Sequence, residues 1–464
     1  MTIQELKDIL AGQPSEVVPA LQKSSYDLPK WADVAKQYDP LLHEIKVNTK
    51  RYPQKFNEFG FDDFKRITLG LQKLAVNRIA QAMFTNPVER MWNNAPDNQR
   101  EQTAINIIEQ LYRVENYSDS ENIERCKRWG GSCQFATIWK TYEEPNEIEG
   151  EATKLKLTHT TYSEMDGYKL YAQNDENGNL IVLLIMYTDS NNKEHAYVYA
   201  KLETPILEVF DNLEGGWGLN TELSKELSVF PVLYLSTNEP VWGGLPGTML
   251  VEEMEEMLSF QGSYIKKNAA PLFTLDMGDT SGMQNKETTE KADDFRRIIR
   301  TGKSGGMRGV TWEGAAEAVK FQYKTLREAY FEQVQMPDIS FANMMNGNAL
   351  SADSKEMLFA DARNKAQDLG GEWGRILYNE MMLILEFAKI MFPGYAKEFA
   401  KLRARSVIKP YTIRSKKENA EYVNLAGESM SRTTKIRILG EVDNIEDEVN
   451  EIEQEISSQA NQGI

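Results

Sequence analysis

Two cysteines, three histidines and no long uncharged apolar run leave this 464-residue chain little material for redox, metal or membrane chemistry. Cys126 and Cys133 are too few for a disulfide framework and lack metal-site spacing, so both are expected as buried thiols. His43, His159 and His195 show no H-E-x-x-H or comparable spacing, and no metal site is expected from them. The opening Met1-Thr-Ile-Gln-Glu-Leu-Lys-Asp has no apolar h-region, and the runs Leu180 to Tyr187 and Met381 to Phe392 are too short or too charged to cross a bilayer. A soluble protein made in a cytosol is the expectation. Positive charge is also in short supply: 53 Lys and Arg against 70 Asp and Glu give a net charge of -17. Non-specific binding to nucleic acid through a basic surface is therefore not the default, although DNA could still be a transient guest.

Catalytic motifs are missing as well. Gly302-Lys303-Ser304 ends like a phosphate-cradling loop, but Arg297 stands where the motif needs its first Gly. Gly130-Gly131-Ser132-Cys133 begins like a nucleophile elbow, but Gln134 replaces the last Gly, and a turn entering a strand is the simpler reading. No cofactor is expected.

What is present is a mainly helical α+β pattern. Residues 1 to about 60, punctuated by five prolines, read as an extended arm with short helices. Phe64, Ile67, Leu71, Leu74, Ala75, Ile79 and Met83 give a helix over Phe61 to Phe84, stopped by Asn86-Pro87. Helices follow around Asn98 to Val114 and Asp119 to Gly130. Strands then alternate from Gln134 to Glu208 as an antiparallel meander, turning at Asp175 to Asn179 and Asp189 to Asn192, and Val229 to Leu235 adds another.

Near Thr248 a helix begins with Leu250, Met254, Met257, Leu258, Tyr264 and Ile265 on one face and Glu252, Glu253, Glu255 and Glu256 crowding the other. Residues 271 to 312 read as a compact insert, with a strand at Leu272 to Leu275 and a helix around Thr289 to Ile299. The cations Arg296, Arg297, Arg300, Lys303 and Arg308 gather there, as a solvated surface or as a contact for acidic partners. A second helix then puts Val319, Tyr323, Leu326, Tyr330 and Val334 on one side and ends at Met336-Pro337. Phe341 to Leu350 carries no charge, which is unusual for a connector in a chain with 27% charged residues. A long helix follows, with Gly370-Gly371 as an expected kink. Beyond Phe392, a strand at Ser406 to Pro410 and helices at Lys416 to Ala426, Ser431 to Gly440 and Glu441 to Ser458 are expected.

Four stretches in this order carry a resemblance. They are Leu74 to Val88, ending Asn-Pro-Val; Phe230-Pro-Val-Leu-Tyr-Leu with the helix at 248 to 268; Met336-Pro-Asp-Ile-Ser-Phe with its neutral sequel; and the C-terminal succession from Lys416 through Ser429-Met-Ser-Arg-Thr-Thr-Lys to Glu441-Val-Asp-Asn-Ile-Glu-Asp-Glu. Over roughly residues 40 to 458 the chain resembles the portal, or head-to-tail connector, proteins of tailed double-stranded DNA bacteriophages, in the branch similar to the SPP1 portal. Asn348-Ala-Leu-Ser-Ala352 departs from the family's usual Ser-Gly-hydrophobic-Ala.

The resemblance implies a phage portal fold with wing, stem, clip and crown, assembled as a ring of about a dozen copies around a central channel. It divides the chain into an N-terminal arm (1-39), wing (40-247), first stem helix (248-268), clip (269-312), second stem helix (313-336), tunnel loop (337-352), long kinked wing helix (353-395), crown (396-458) and tail (459-464). DNA would pass through the channel during packaging and ejection. Phe341, Asn343, Met344, Met345, Asn346 and Asn348 would line its narrowest point, and Glu252, Glu253, Glu255 and Glu256 would form an acidic wall. The clip cations would dock the terminase large subunit and then a head-completion or adaptor protein, beside the major capsid and scaffolding proteins. The setting implied is the virion, with assembly in host cytoplasm, no membrane and no enzymatic activity. Alternatives are a ring-forming head or neck component without DNA passage, and a carboxylate-dependent hydrolase.

Overall fold

The computed structural model describes residues 1–25, 28–53, 64–93, 98–213, 216–268, 272–277, 298–302, 307–310, 316–336, 360–410, 416–440, 448–449 and 451–452. Helices and antiparallel sheets share the chain. The first helix, Ile3–Leu10, is fixed by a capping box in which the Thr2 hydroxyl accepts from the Glu5 N–H and the Glu5 carboxylate accepts from the Thr2 N–H. Pro14 opens the second, Pro14–Ser24, where its missing N–H costs nothing. These helices do not form an extended arm. They fold back as a hairpin that buries Leu6, Val17, Val18 and Leu21 against a sheet.

That sheet has six strands. Lys169–Asn174, Leu180–Thr188, Glu194–Ala200, Ile206–Leu213 and Gly216–Leu219 run in order, and Lys225–Glu226 pairs with the fourth. Its turns follow the Asp signals: Asp175 accepts from the N–H groups of Asn177 and Asn179, and Asp189 from those of Asn191 and Lys193. The continuous apolar run at Leu180–Thr188 is explained by coverage on both faces. Val182, Leu184 and Met186 meet the helical hairpin, while Leu183 and Ile185 meet a three-stranded sheet in the order Val232–Ser236, Gln134–Ile148, Glu151–Tyr162.

The central core gathers around Trp373, in the long helix Ala360–Met391. Its ring lies edge-on to Phe84 and Trp129 at 4.9 and 5.9 Å and stacks on Phe135 at 5.5 Å. This helix runs unbroken through Gly370-Gly371, the expected kink. Gly130 and Gly131 lie inside the helix Ser118–Ser132 rather than in a turn, and the strand begins only after Cys133 adopts a left-handed φ of 66°. They are small because the helix packs closely: a Cβ would stand 2.8 Å from Val76 on Gly130 and 2.5 Å from Met165 on Gly131. Cys126 and Cys133 are buried and free, and burial pushes the Cys133 thiol up to about 12.

One ion pair crosses this core. The Arg125 guanidinium donates to Glu380 at 2.6 Å with the two side chains 2% and 0% exposed, and the Trp139 indole donates to the same oxygen at 3.2 Å. Glu121 lies 3.6 Å from the other side of Arg125. Burial alone would raise the Glu121 carboxyl, but hydrogen bonds from His159 and Thr161 and the Arg125 charge hold it down at about 2.

Candidate functional site

The helix Gly244–Asn268 packs against the helix Ala316–Val334, and between them in sequence lies a small sheet with Leu272–Met277 at its centre. Ile298–Gly302 pairs with this strand in parallel and Met307–Val310 pairs antiparallel. The helix expected to end at Ile299 therefore does not include its last two residues, which are strand. In the second helix, Tyr330 and Val334 are buried with Tyr323 and Leu326 against the core, as the periodicity requires. The Tyr330 hydroxyl donates to the Trp242 carbonyl at 3.1 Å, and Gln335, at φ 58°, ends the helix.

The four glutamates of Gly244–Asn268 do not share one outward face. Glu253 is exposed. Glu252 is half-buried, and burial, then the nearby Glu44 charge, raises its pKa. Glu256 accepts from Arg51 at 2.9 Å and from the Tyr52 hydroxyl at 3.0 Å; burial and this hydrogen bond push the Tyr52 phenol up to about 12. Glu255 is fully buried. His43 Nδ1 lies 2.6 Å from its Oε1, and His43 Nε2 lies 2.9 Å from the Gln37 carbonyl. Both ring nitrogens thus face acceptors, which places a proton on each when Glu255 is ionised.

The reason Glu255 turns inward is a strap of chain from the same protein. Residues 65 to 69 lie across the helix, and alternate backbone N–H groups donate to it: Leu69 to Glu255 at 2.6 Å, Ile67 to Ser259 at 2.9 Å and Lys65 to Ser263 at 2.8 Å. Three rungs at i, i+4 and i+8 meet three donors two residues apart, in antiparallel sense. The pitch matches because four helical residues rise about 6 Å and two extended residues span about 6.6 Å. Gly262 leaves room, since a Cβ there would come within 3.3 Å of Lys65 and 3.4 Å of Ile67. This strap also corrects the helix expected over Phe61 to Phe84. Helix begins at Leu71, and Phe64 and Ile67 lie outside it because the N–H groups around them are taken by the neighbouring helix.

The strap predicts a stability effect. Replacing Ser259 and Ser263 together with Ala would leave two part-buried N–H groups without acceptors, at about 1–3 kcal/mol each. A lowered urea midpoint, with faster amide exchange at Lys65 and Ile67, is the expected result. An unchanged midpoint would show that water replaces both rungs.

Among the clip cations, Arg300 stands opposite Leu275 and Arg308 opposite Thr274 in the strand register. Arg296, Arg297 and Lys303 lie outside the described residues, as do Phe341, Asn343, Met344, Met345, Asn346 and Asn348. Each histidine is paired with its own carboxylate: His43 with Glu255, His159 with Glu121, and His195 with Asp211 at 2.6 Å and Asp189 at 3.4 Å. Among the described residues no group of three His, Cys, Asp or Glu could hold a metal ion, and no helix is long and apolar enough to cross a membrane. The strap's rungs went unread in the sequence, although Glu255, Ser259 and Ser263 are a polar row at helical spacing beside apolar neighbours.

A family model described as phage portal protein, SPP1 Gp6-like, matches residues 62–462. No curated protein matches. Similar solved structures include the neck of an empty gene transfer agent particle computed with C6 symmetry, at 13% identity and a TM-score of 0.38, covering 87% of this chain and 94% of that one. A second is the virion of a native gene transfer agent particle, at 10% identity and a TM-score of 0.40, covering 95% and 99%.

Proposed function

The chain belongs to the SPP1 Gp6-like phage portal family, a structural rather than enzymatic family, and from that premise we propose that its copies form a ring whose axial channel passes double-stranded DNA into and out of the capsid. The observation that carries this proposal is apolar surface on the helical pair. Leu245, Met249, Phe260 and Phe321 are each more than half exposed in the single chain, an arrangement suited to burial between copies. A ring of about a dozen copies at one vertex would make the two helices a stem, residues 269–312 a clip and 396–458 a crown.

A channel for sliding DNA must hold phosphates weakly, because each Lys or Arg contact displaces counterions and adds a binding well along the path. The neutral segment 337–352 is suited to the constriction, with Asn343, Asn346 and Asn348 offering uncharged hydrogen-bonding groups and Met344 and Met345 adaptable apolar ones beside Phe341. For the acidic wall, Glu253 and Glu252 are the better candidates, since Glu255 and Glu256 are engaged within the chain. The clip cations would dock the terminase large subunit and later a head-completion protein, with capsid and scaffolding proteins around the ring.

Native mass measurement with electron imaging tests the assembly: closed rings with a central hole are expected, and a species that never closes would reject it. The channel is tested by Asn346→Lys with Asn348→Lys. Rings should form normally while the yield of packaged DNA falls at least tenfold; full yield from the double variant would remove the segment from the DNA path.

A further inference from the structure

Charge is divided unevenly along this acidic chain. Residues 397 to 437 carry eleven Lys and Arg against four Glu, a local excess of seven positive charges where the whole chain has a net charge of -17. No run of adjacent cations announces it, because they are scattered over a short helix, a strand, a connector and two further helices.

Some of these cations are engaged. Lys401 pairs with Glu101 at 3.3 Å and Lys409 with Glu89 at 2.5 Å, while Arg403 donates to the Ala400 and Leu402 carbonyls. Four others are not. Arg405 is exposed on the strand Ala404–Val407, opposite the exposed Met91 on Glu89–Trp92. Arg432, Lys435 and Arg437 belong to the helix Arg432–Leu439, which has no acidic residue and buries none of its side chains. That helix is defined at both ends: the Ser431 hydroxyl accepts from the Thr434 N–H, and Gly440 closes it at φ 66°. Among the described residues no ion pair joins any of these four cations to a carboxylate.

We propose that Arg405, Arg432, Lys435 and Arg437 form a surface that binds the phosphate backbone of double-stranded DNA without sequence preference. This rests on the portal reading, which supplies DNA as the polyanion at hand, and it assigns the contact to residues outside the neutral segment and the acidic helix. Solvent-facing cations with no carboxylate among them suit a uniformly charged rod, and Thr433 and Thr434 add hydroxyl donors of the kind that meet phosphate oxygens. A handful of contacts gives a grip that physiological salt nearly dissolves. With about four phosphates neutralised, affinity should fall on the order of 100-fold between 50 and 200 mM salt. Tyr422 and Leu425, exposed on the neighbouring helix Lys416–Ala426, suit a contact between copies instead.

The test uses the full-length protein, a fluorescent 30-base-pair duplex of arbitrary sequence, and anisotropy titrations from 25 to 200 mM NaCl, with native mass recorded in each buffer. The wild type should bind, with log affinity falling linearly in log salt. Arg432→Gln, Lys435→Gln and Arg437→Gln together should flatten that slope by about 2 to 3 and weaken binding at least tenfold at 50 mM, with the assembly mass unchanged. Lys320→Gln with Lys324→Gln, on the helix Ala316–Val334, should leave the slope as it is. Absence of wild-type binding at 25 mM, or a triple variant with the wild-type slope, overturns the proposal. So does a triple variant that changes only the assembly mass, which would give the surface to a neighbouring copy. Rings that ignore the duplex would reject this contact and leave the portal reading standing, whereas a chain that forms no ring would reject the portal reading whatever the anisotropy shows.

Discussion

Deleting residues 1–24 is expected to yield protein that is insoluble or recovered only as aggregate. Those residues form the helical hairpin over one face of the six-stranded sheet, and they precede the segment matched to the portal family, so a trimmed version would look harmless by sequence comparison. Leu6, Val17, Val18 and Leu21 are at most 2% exposed. At about 1.5–3 kcal/mol for each buried side chain they contribute roughly 6–12 kcal/mol, an upper bound because an unfolded chain already hides some surface. That is comparable with the whole stability of a typical domain, about 5–15 kcal/mol. The deletion would also uncover Val182, Leu184, Met186 and Val198, a contiguous apolar sheet face of the kind that recruits other chains. Soluble recovery and sedimentation would check this. Val18→Asp, which keeps the hairpin but puts a charge in its interface, should reduce recovery in the same direction; a soluble deletion product with wild-type melting would show the hairpin to be dispensable.

Glu380→Ala should destabilise the protein by about 3–5 kcal/mol. Its carboxylate is the acceptor for both Arg125 and the Trp139 indole, and removing it strands a guanidinium that is 2% exposed. The pair itself is not a large net gain, since taking two ions out of water offsets most of their attraction. Arg125→Met combined with Glu380→Leu should therefore recover most of the loss. Urea midpoints for the two single variants and the double variant form a cycle that checks this. A double variant as unstable as the worse single one would mean that the site depends on charge rather than on filling the space.

Legibility in the sequence followed the range of the interactions. The strands from Lys169 to Ala200 were readable because Asp175 and Asp189 act on N–H groups within four residues of themselves. The helix Ala316–Val334 was readable because Tyr323, Leu326, Tyr330 and Val334 repeat at helical spacing. The start of the helix at Leu71 was not, since what keeps Ile67 out of it is Ser259, 192 residues away. Gly130-Gly131 looked like a turn because glycine signals freedom in a single sequence, whereas here it signals close approach of Val76 and Met165. Glu255 looked like a surface charge among surface charges, and only the strap and His43 turn it inward. Arg125 and Glu380, 255 residues apart, carry no local mark of their pairing.

The strap on the helix Gly244–Asn268 behaves as a vernier, two scales whose divisions nearly coincide. Each rung gains about 0.6 Å, the difference between the rise of four helical residues and the span of two extended ones. Across three rungs the error is about 1.2 Å, small enough for side chains to absorb, but a fourth would stand about 1.8 Å out, beyond the spread of good hydrogen-bond distances. The clasp is therefore self-limiting in length. Its register is also indivisible, because a shift by one residue would turn every N–H on the strap away from the helix, so the strap can move only in steps of two residues or leave altogether.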